Sequence, residues 1–180
     1  MFVVSLAVLG ARCAGESRAR GDDRSAHDAT TYSVQRLALD TLFNGRERAS
    51  RLVLWATDAG DGPALTSLGR VVVRPPAPRA IDLGRLAPSL PAGVMTEREM
   101  AALFREHPDG WAAFFRENPG AAGLVELSPV RLLDQGREAE MYVGRSCGEH
   151  CGNVWRLTAR RVASGIWRVD SLQWIQLPGS

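Results

Sequence analysis

Cys147, His150 and Cys151 stand together in Cys147-Gly148-Glu149-His150-Cys151, the one stretch of the 180-residue chain dense in groups able to do chemistry. Three chemistries are open to it. Two cysteines at this separation across a hairpin loop can reach the Cα spacing of a disulfide, and Gly148 and Gly152 are expected to give the positive φ of a tight turn. Closing so small a ring stabilises by only about 2 kcal/mol on the loop-entropy model. The same thiols with His150 offer three metal ligands, with Glu149 or Asp58 to complete the set. Against this, no second ligand pair occurs elsewhere, and His27 and His107 have no ligand-like spacing. A redox pair is the third reading, with His150 lowering a thiol pKa. The spacing is not Cys-x-x-Cys, however, and no helix follows to stabilise a thiolate by its dipole. The disulfide is the leading reading, with metal and redox roles for Cys147, His150 and Cys151 kept as alternatives.

Other catalytic signatures are missing. The chain has no Gly-x-Ser-x-Gly, no phosphate-cradling glycine loop and no dinucleotide fingerprint, so no cofactor is implied. Asp58, with Trp111 and Phe115, is a candidate pocket lining, and Asp40 could face the same pocket, but Asp58 and Asp40 read better as a turn former and a solvated helix residue. Arg145, Arg156, Arg160 and Arg168 suggest an anion-binding strip, but Glu138, Glu140 and Asp170 lie among them. All 22 basic residues are arginine. That bias reads as GC-rich coding, and it lowers the weight of any arginine cluster. A solvated sheet face with paired charges is the better reading.

The elements that must position these groups follow from periodicity. Thr30 or Thr31 is expected to cap a helix reaching about Phe43, with Val34, Leu37, Ala38 and Leu42 on one face and Asn44-Gly45 as its stop. RLVLWAT at 51–57 reads as a short buried strand. Residues 58–93, rich in proline and glycine, read as a long surface excursion with one short strand expected at 71–73. Thr96 and Glu99 form a capping box opening a helix with Met100, Leu103 and Phe104, which must end by His107-Pro108. Asp109 caps a second short helix carrying Trp111, Phe114 and Phe115, stopped at Asn118-Pro119-Gly120. From Leu124 the period becomes two. Ser128-Pro129 predicts a bulge or an edge. Folding the chain about the cysteine loop pairs Val143 with Trp155, Met141 with Leu157 and Ala139 with Ala159 on one face, and Glu138 with Arg160 and Tyr142 with Arg156 on the other. A slip of one residue sets apolar against charged side chains throughout, so the register is well specified. A turn at Ser164-Gly165 brings Val169 across from Ala159. The expected fold class is α+β, with N-terminal and central helices packed on one face of a C-terminal antiparallel meander sheet.

The first residues, MFVVSLAVLGA, form an apolar stretch followed by Arg12-Cys13-Ala14. They read as a signal peptide over 1–14, with residues 15–29 a flexible tether and 30–177 a single domain. Cys13 raises the alternative of a lipid anchor, although Arg12 before it departs from the usual pattern. Loss of the leader leaves two cysteines, an even number suited to an oxidising compartment. The expected localisation is secreted or periplasmic, or else lipid-anchored to the envelope. With 20 acidic residues and a formal net charge of +2, the chain lacks the basic excess of a nucleic-acid binder. No apolar run reaches the length of a transmembrane span.

The order Leu127-Ser128, Ala139-Glu140-Met141-Tyr142-Val143, Cys147-Gly148-Glu149-His150-Cys151-Gly152 and Gly165-Ile166-Trp167 resembles an uncharacterised family of exported bacterial proteins, often with lipoprotein-type leaders. The resemblance covers about 31–175, and the Cys-Gly-x-x-Cys-Gly loop is its most specific part. His150 stands where such relatives usually carry an apolar residue. The resemblance implies export and no particular activity. The expected function is therefore an exported binding or envelope-associated module, non-enzymatic, with an unknown protein or small-molecule ligand. The alternative is an enzyme or a metal or thiol-redox protein built on Cys147, His150 and Cys151.

Overall fold

The computed structural model describes residues 28–46, 49–56, 79–107, 109–148 and 150–175. The proposed leader, Cys13, most of the tether, Asp58 and the 71–73 strand lie outside the described residues. Helices and a seven-stranded sheet combine in an α+β fold. Residues 28–39 form α1, which continues as a π-helix over Asp40–Arg46. Then follow β1 (Arg51–Trp55), α2 (Leu83–Leu86), β2 (Ala92–Met95), α3 (Glu97–Glu106) and α4 (Gly110–Glu117). The rest is strand: β3 (Ala121–Leu127), β4 (Arg131–Leu133), β5 (Glu138–Gly148), β6 (Cys151–Arg161) and β7 (Trp167–Ile175).

Local signals behave as their chemistry requires. The Thr96 hydroxyl accepts from the Glu99 amide at 3.2 Å, and the Glu99 carboxylate accepts from the Thr96 amide at 2.7 Å, completing the capping box of α3. Asn118 closes α4, its amide and its side chain both donating to the Phe114 carbonyl. Asp109 occupies the N-cap of α4 but makes no side-chain capping bond. The start of α1 differs from expectation, since residues 28 and 29 are already helical and Thr31 is buried inside the helix. Asp28 lies within this helical stretch. It forms ion pairs with Arg79 and Arg85, and the hydrogen bond from Arg79 holds its carboxyl below the usual range.

The hairpin of β5 and β6 has the register expected from alternation. Val143 faces Trp155, Met141 faces Leu157, Ala139 faces Ala159, Glu138 faces Arg160 and Tyr142 faces Arg156. Val169 of β7 lies across from Ala159. Ser128, Pro129 and Val130 interrupt a line of strand that pairs with β5 on both sides of the break, as β3 and then as β4. The site is thus a break in the line of strand, and β4 beyond it pairs with β5 alone, at an edge of the sheet. Pro129 offers no amide to the ladder, while the Ser128 hydroxyl accepts from the Tyr142 amide at 2.8 Å.

Three expectations about architecture are corrected. The sheet is mixed and not a pure meander: its order is β2-β1-β3-β5-β6-β7, with β1 parallel to both β2 and β3. The end of the 58–93 segment belongs to this core rather than to a surface excursion. Leu86 is fully buried, and the Leu52 amide donates to the Pro91 carbonyl at 2.8 Å. Nor do the helices share a face. Leu52 and Leu54 join the cluster under α1 with Leu39, Phe43, Val125 and Met141. Val53 between them joins a separate cluster with Leu103, Ala113, Phe114 and Leu124. Successive side chains of a strand point to opposite faces, so α1 covers one face and the α3–α4 pair covers the other. The reason is the uninterrupted apolar run in β1, which has no polar side to leave in water.

Candidate functional site

The cysteine tip is built by register. Most of the β5–β6 hairpin pairs residues symmetrically, but at the end Ser146 faces Gly152 while Gly148 faces Cys151. Cys147 is the extra residue of a bulge in β5. Cys147 and Cys151 are paired, with Cα atoms 5.0 Å apart, inside the range a disulfide needs. The bulge also removes the expected role of the two glycines. Gly148 and Gly152 both lie in strands, and neither is among the glycines with positive φ. A Cβ on Gly148 would lie 3.4 Å from the Cys151 Cβ, and one on Gly152 3.4 Å from the Arg145 carbonyl, ordinary contact in both cases.

Positive φ is needed one strand away. Gly123 of β3 has φ +123°, and a Cβ there would collide with the Ser146 carbonyl and press on Cys147. The tip is therefore docked onto β3 as well as closed by sulfur. Removing both sulfurs (Cys147→Ser with Cys151→Ser) is expected to lower stability by about 2 kcal/mol without unfolding the domain. Urea titration of the oxidised protein and the double variant measures this.

His150 is exposed at the turn. Bonded to each other, the sulfurs offer no thiolate to a metal, and among the described residues no three His, Cys, Asp or Glu side chains group to hold one. Trp111 and Phe115 both lie on α4. They stack with Phe114 in an aromatic cluster at ring separations of 5.5 and 5.2 Å, over β1 and β3. Phe104 joins through Trp111 at 5.6 Å although 41% exposed.

The arginine strip divides between faces. Arg145 lies opposite Val125, on the α1 face, with its guanidinium 5.6 Å from the Trp155 ring centre. Arg156 and Arg160 are on the other face, each with a carboxylate partner. Arg156 Nε donates to Glu140 at 2.8 Å, and Arg160 sits 3.3 Å from Glu138 and 3.7 Å from Asp170. Glu140 is only 6% exposed, and its hydrogen bonds and charge hold the Arg156 guanidinium protonated even more firmly than usual.

Glu126 breaks this pattern and was missed by sequence reasoning. It sits on β3 opposite Gly144, on the face shared by Arg156 and Glu140, and burial raises its carboxyl above the ordinary value near 4.5. Among the described residues nothing donates a hydrogen bond to it or pairs with it. The available signal was a lone acid inside Leu124-Val125-Glu126-Leu127, an otherwise apolar strand.

The chain matches no known family model, no curated protein and no solved structure. The site must therefore be read from its own geometry. No helix among the described residues is long and apolar enough to cross a membrane.

The half-buried carboxylate has a measurable consequence. A group whose folded pKa is raised contributes stability below its unfolded pKa and loses it as pH climbs through the folded value. Glu126→Gln carries no charge at any pH. The variant is therefore expected to match the parent below about pH 4.5 and to become the more stable of the two as pH rises toward neutrality. Melting temperatures of both proteins across pH 4–8 check the sign.

Proposed function

We propose that the chain is an exported binding module, non-enzymatic, whose hairpin tip is stapled by a disulfide between Cys147 and Cys151. The observation that carries the reading is the pairing of these two residues, Cα atoms 5.0 Å apart, at the end of an eleven-residue hairpin strand. Disulfides persist in secreted and periplasmic proteins and are rare where thiols are kept reduced. The apolar leader over 1–14 and the even number of cysteines after it support the same compartment, as does the resemblance to exported bacterial proteins. An anchor at Cys13 would hold the same domain at the envelope through the 15–29 tether.

A binding role is favoured over catalysis by the distribution of charge. The acids facing Arg156 and Arg160 are committed to these partners, and the tip histidine has no thiolate beside it. A metal or thiol-redox role for Cys147, His150 and Cys151 needs the sulfurs free. Alkylation of periplasmic or culture-fluid material, followed by mass measurement, decides the matter. The expected result is no label on either cysteine before reduction and label on both after it. Two reactive thiols without reductant, or stoichiometric zinc in the purified protein, would replace this reading with the metal or redox one.

A further inference from the structure

We propose that Glu126 is the centre of a recognition site for a guanidinium group, between Trp55 and Tyr142 on the face of the sheet that carries Arg156. The proposal rests on the binding-module reading and names the chemistry such a module would recognise.

Its basis is a carboxylate left alone in a protein well supplied with partners. The chain carries 22 arginines, and on this face Glu138, Glu140 and Asp170 each have one. Glu126 has none among the described residues, although it is half-buried. A desolvated charge without a partner is costly, and arrangements that keep such a cost occur preferentially at functional sites. The surroundings define what would relieve it. Gly144 directly opposite has no side chain, and the Glu126 carboxylate leans over it, an oxygen 3.8 Å from where a Cβ would stand. Tyr142 is the next residue of β5 on the same face, paired with Arg156 of β6. On the other side, Trp55 follows Leu54, which pairs with Val125, so it flanks Glu126 on β1. Trp55 is partly buried against the α3–α4 cluster, its position held by that packing.

A carboxylate with Trp55 and Tyr142 on the flanking strands of its own face matches a guanidinium. That group is planar, forks onto both carboxylate oxygens and stacks on aromatic faces, and it sheds water more readily than an ammonium. The protein's own contacts use the same chemistry, with the Arg85 guanidinium 4.7 Å from the Tyr32 ring centre and Arg156 on Glu140. Binding requires the ionised carboxylate, so affinity follows the Glu126 titration. The charged or titratable groups sharing its face nearby are Tyr142 and Glu140 on β5, Arg131 on β4, 3.9 Å from Glu140, and Arg156 on β6; Trp55 on β1 adds no charge.

The test is a calorimetric titration of the oxidised full-length chain with ethylguanidinium and with acetyl-Gly-Arg-Gly-amide. The expected result is saturable binding that falls as pH is lowered from 8 to 5 and weakens at least tenfold in Glu126→Gln. A tripeptide much tighter than ethylguanidinium assigns the natural group to a polypeptide arginine; equal affinity assigns it to a small guanidino compound. Glu138→Gln, at an acid already paired, is expected to leave binding unchanged. No saturation by either probe, equal binding by Glu126→Gln, equal loss in Glu138→Gln, or equal affinity for butylammonium would overturn the proposal. Thiol counting on the same preparation separates the two readings. Absent binding with bonded sulfurs removes the guanidinium site alone, whereas reactive thiols in exported material remove the stapled module.

Discussion

Replacing Phe114 with alanine is expected to destabilise the domain by about 3–5 kcal/mol, as much as any single truncation in the principal core. Phe114 is fully buried on α4, among Val53, Leu103, Ala113 and Leu124. This is the smaller of two cores, and it lies on the face of the sheet away from α1. Were all helices on one face, the aromatic residues of α4 would compete with Phe43 for the same space and no second core would exist. Phe43→Ala, under α1, is the matched comparison, since that side chain is also fully buried and meets Trp155 edge-on at 6.4 Å. Comparable losses at the two positions, read from urea unfolding curves, are what a sheet covered on both faces requires. A loss below about 1 kcal/mol at Phe114 alone would show that α3 and α4 are not docked on β1 and β3.

The second large effect is expected at a residue with no side chain. Gly123→Ala should cost at least as much as removing the disulfide, about 2 kcal/mol. Its φ of +123° is strained for any L-residue, a penalty of about 1–3 kcal/mol. The added Cβ must also displace the Ser146 carbonyl, which is backbone and cannot rotate away. Gly136→Ala separates the two contributions. Gly136 also has positive φ, +82°, but nothing lies within 4 Å of its added Cβ. The excess cost at Gly123 over Gly136 therefore measures the docking of the hairpin tip on β3. Equal costs at the two positions would mean that the cysteine loop stands free of the sheet.

These two predictions differ in their warrant from the Glu126 site. Phe114 and Gly123 are places where the fold would suffer from change. At Glu126 the free protein is expected to gain stability from the substitution while binding is lost. Stability and function pulling in opposite directions at one residue is the behaviour of a site kept for its ligand.

What could be read from the amino-acid order alone was whatever neighbouring residues decide between themselves. The capping box of α3 is a contact between Thr96 and Glu99, and the stop of α4 at Asn118 is a contact with Phe114. The register of β5 on β6 is nearly as local, because alternation allows only one alignment that keeps Val143, Met141 and Ala139 opposite apolar partners. The pairing of Cys147 with Cys151 follows from that hairpin. Tertiary structure decided the rest. That β1 enters the middle of the sheet, parallel to β2 and β3, depends on partners distant in the chain. Leu52-Val53-Leu54 did carry a signal, since three consecutive apolar residues in a strand have no side to give to water, but it does not say which helix covers which face. The isolation of Glu126 is invisible to any local rule. Arg156 and Arg160 on its face are held by Glu138, Glu140 and Asp170, and only the assembled sheet shows which charges meet.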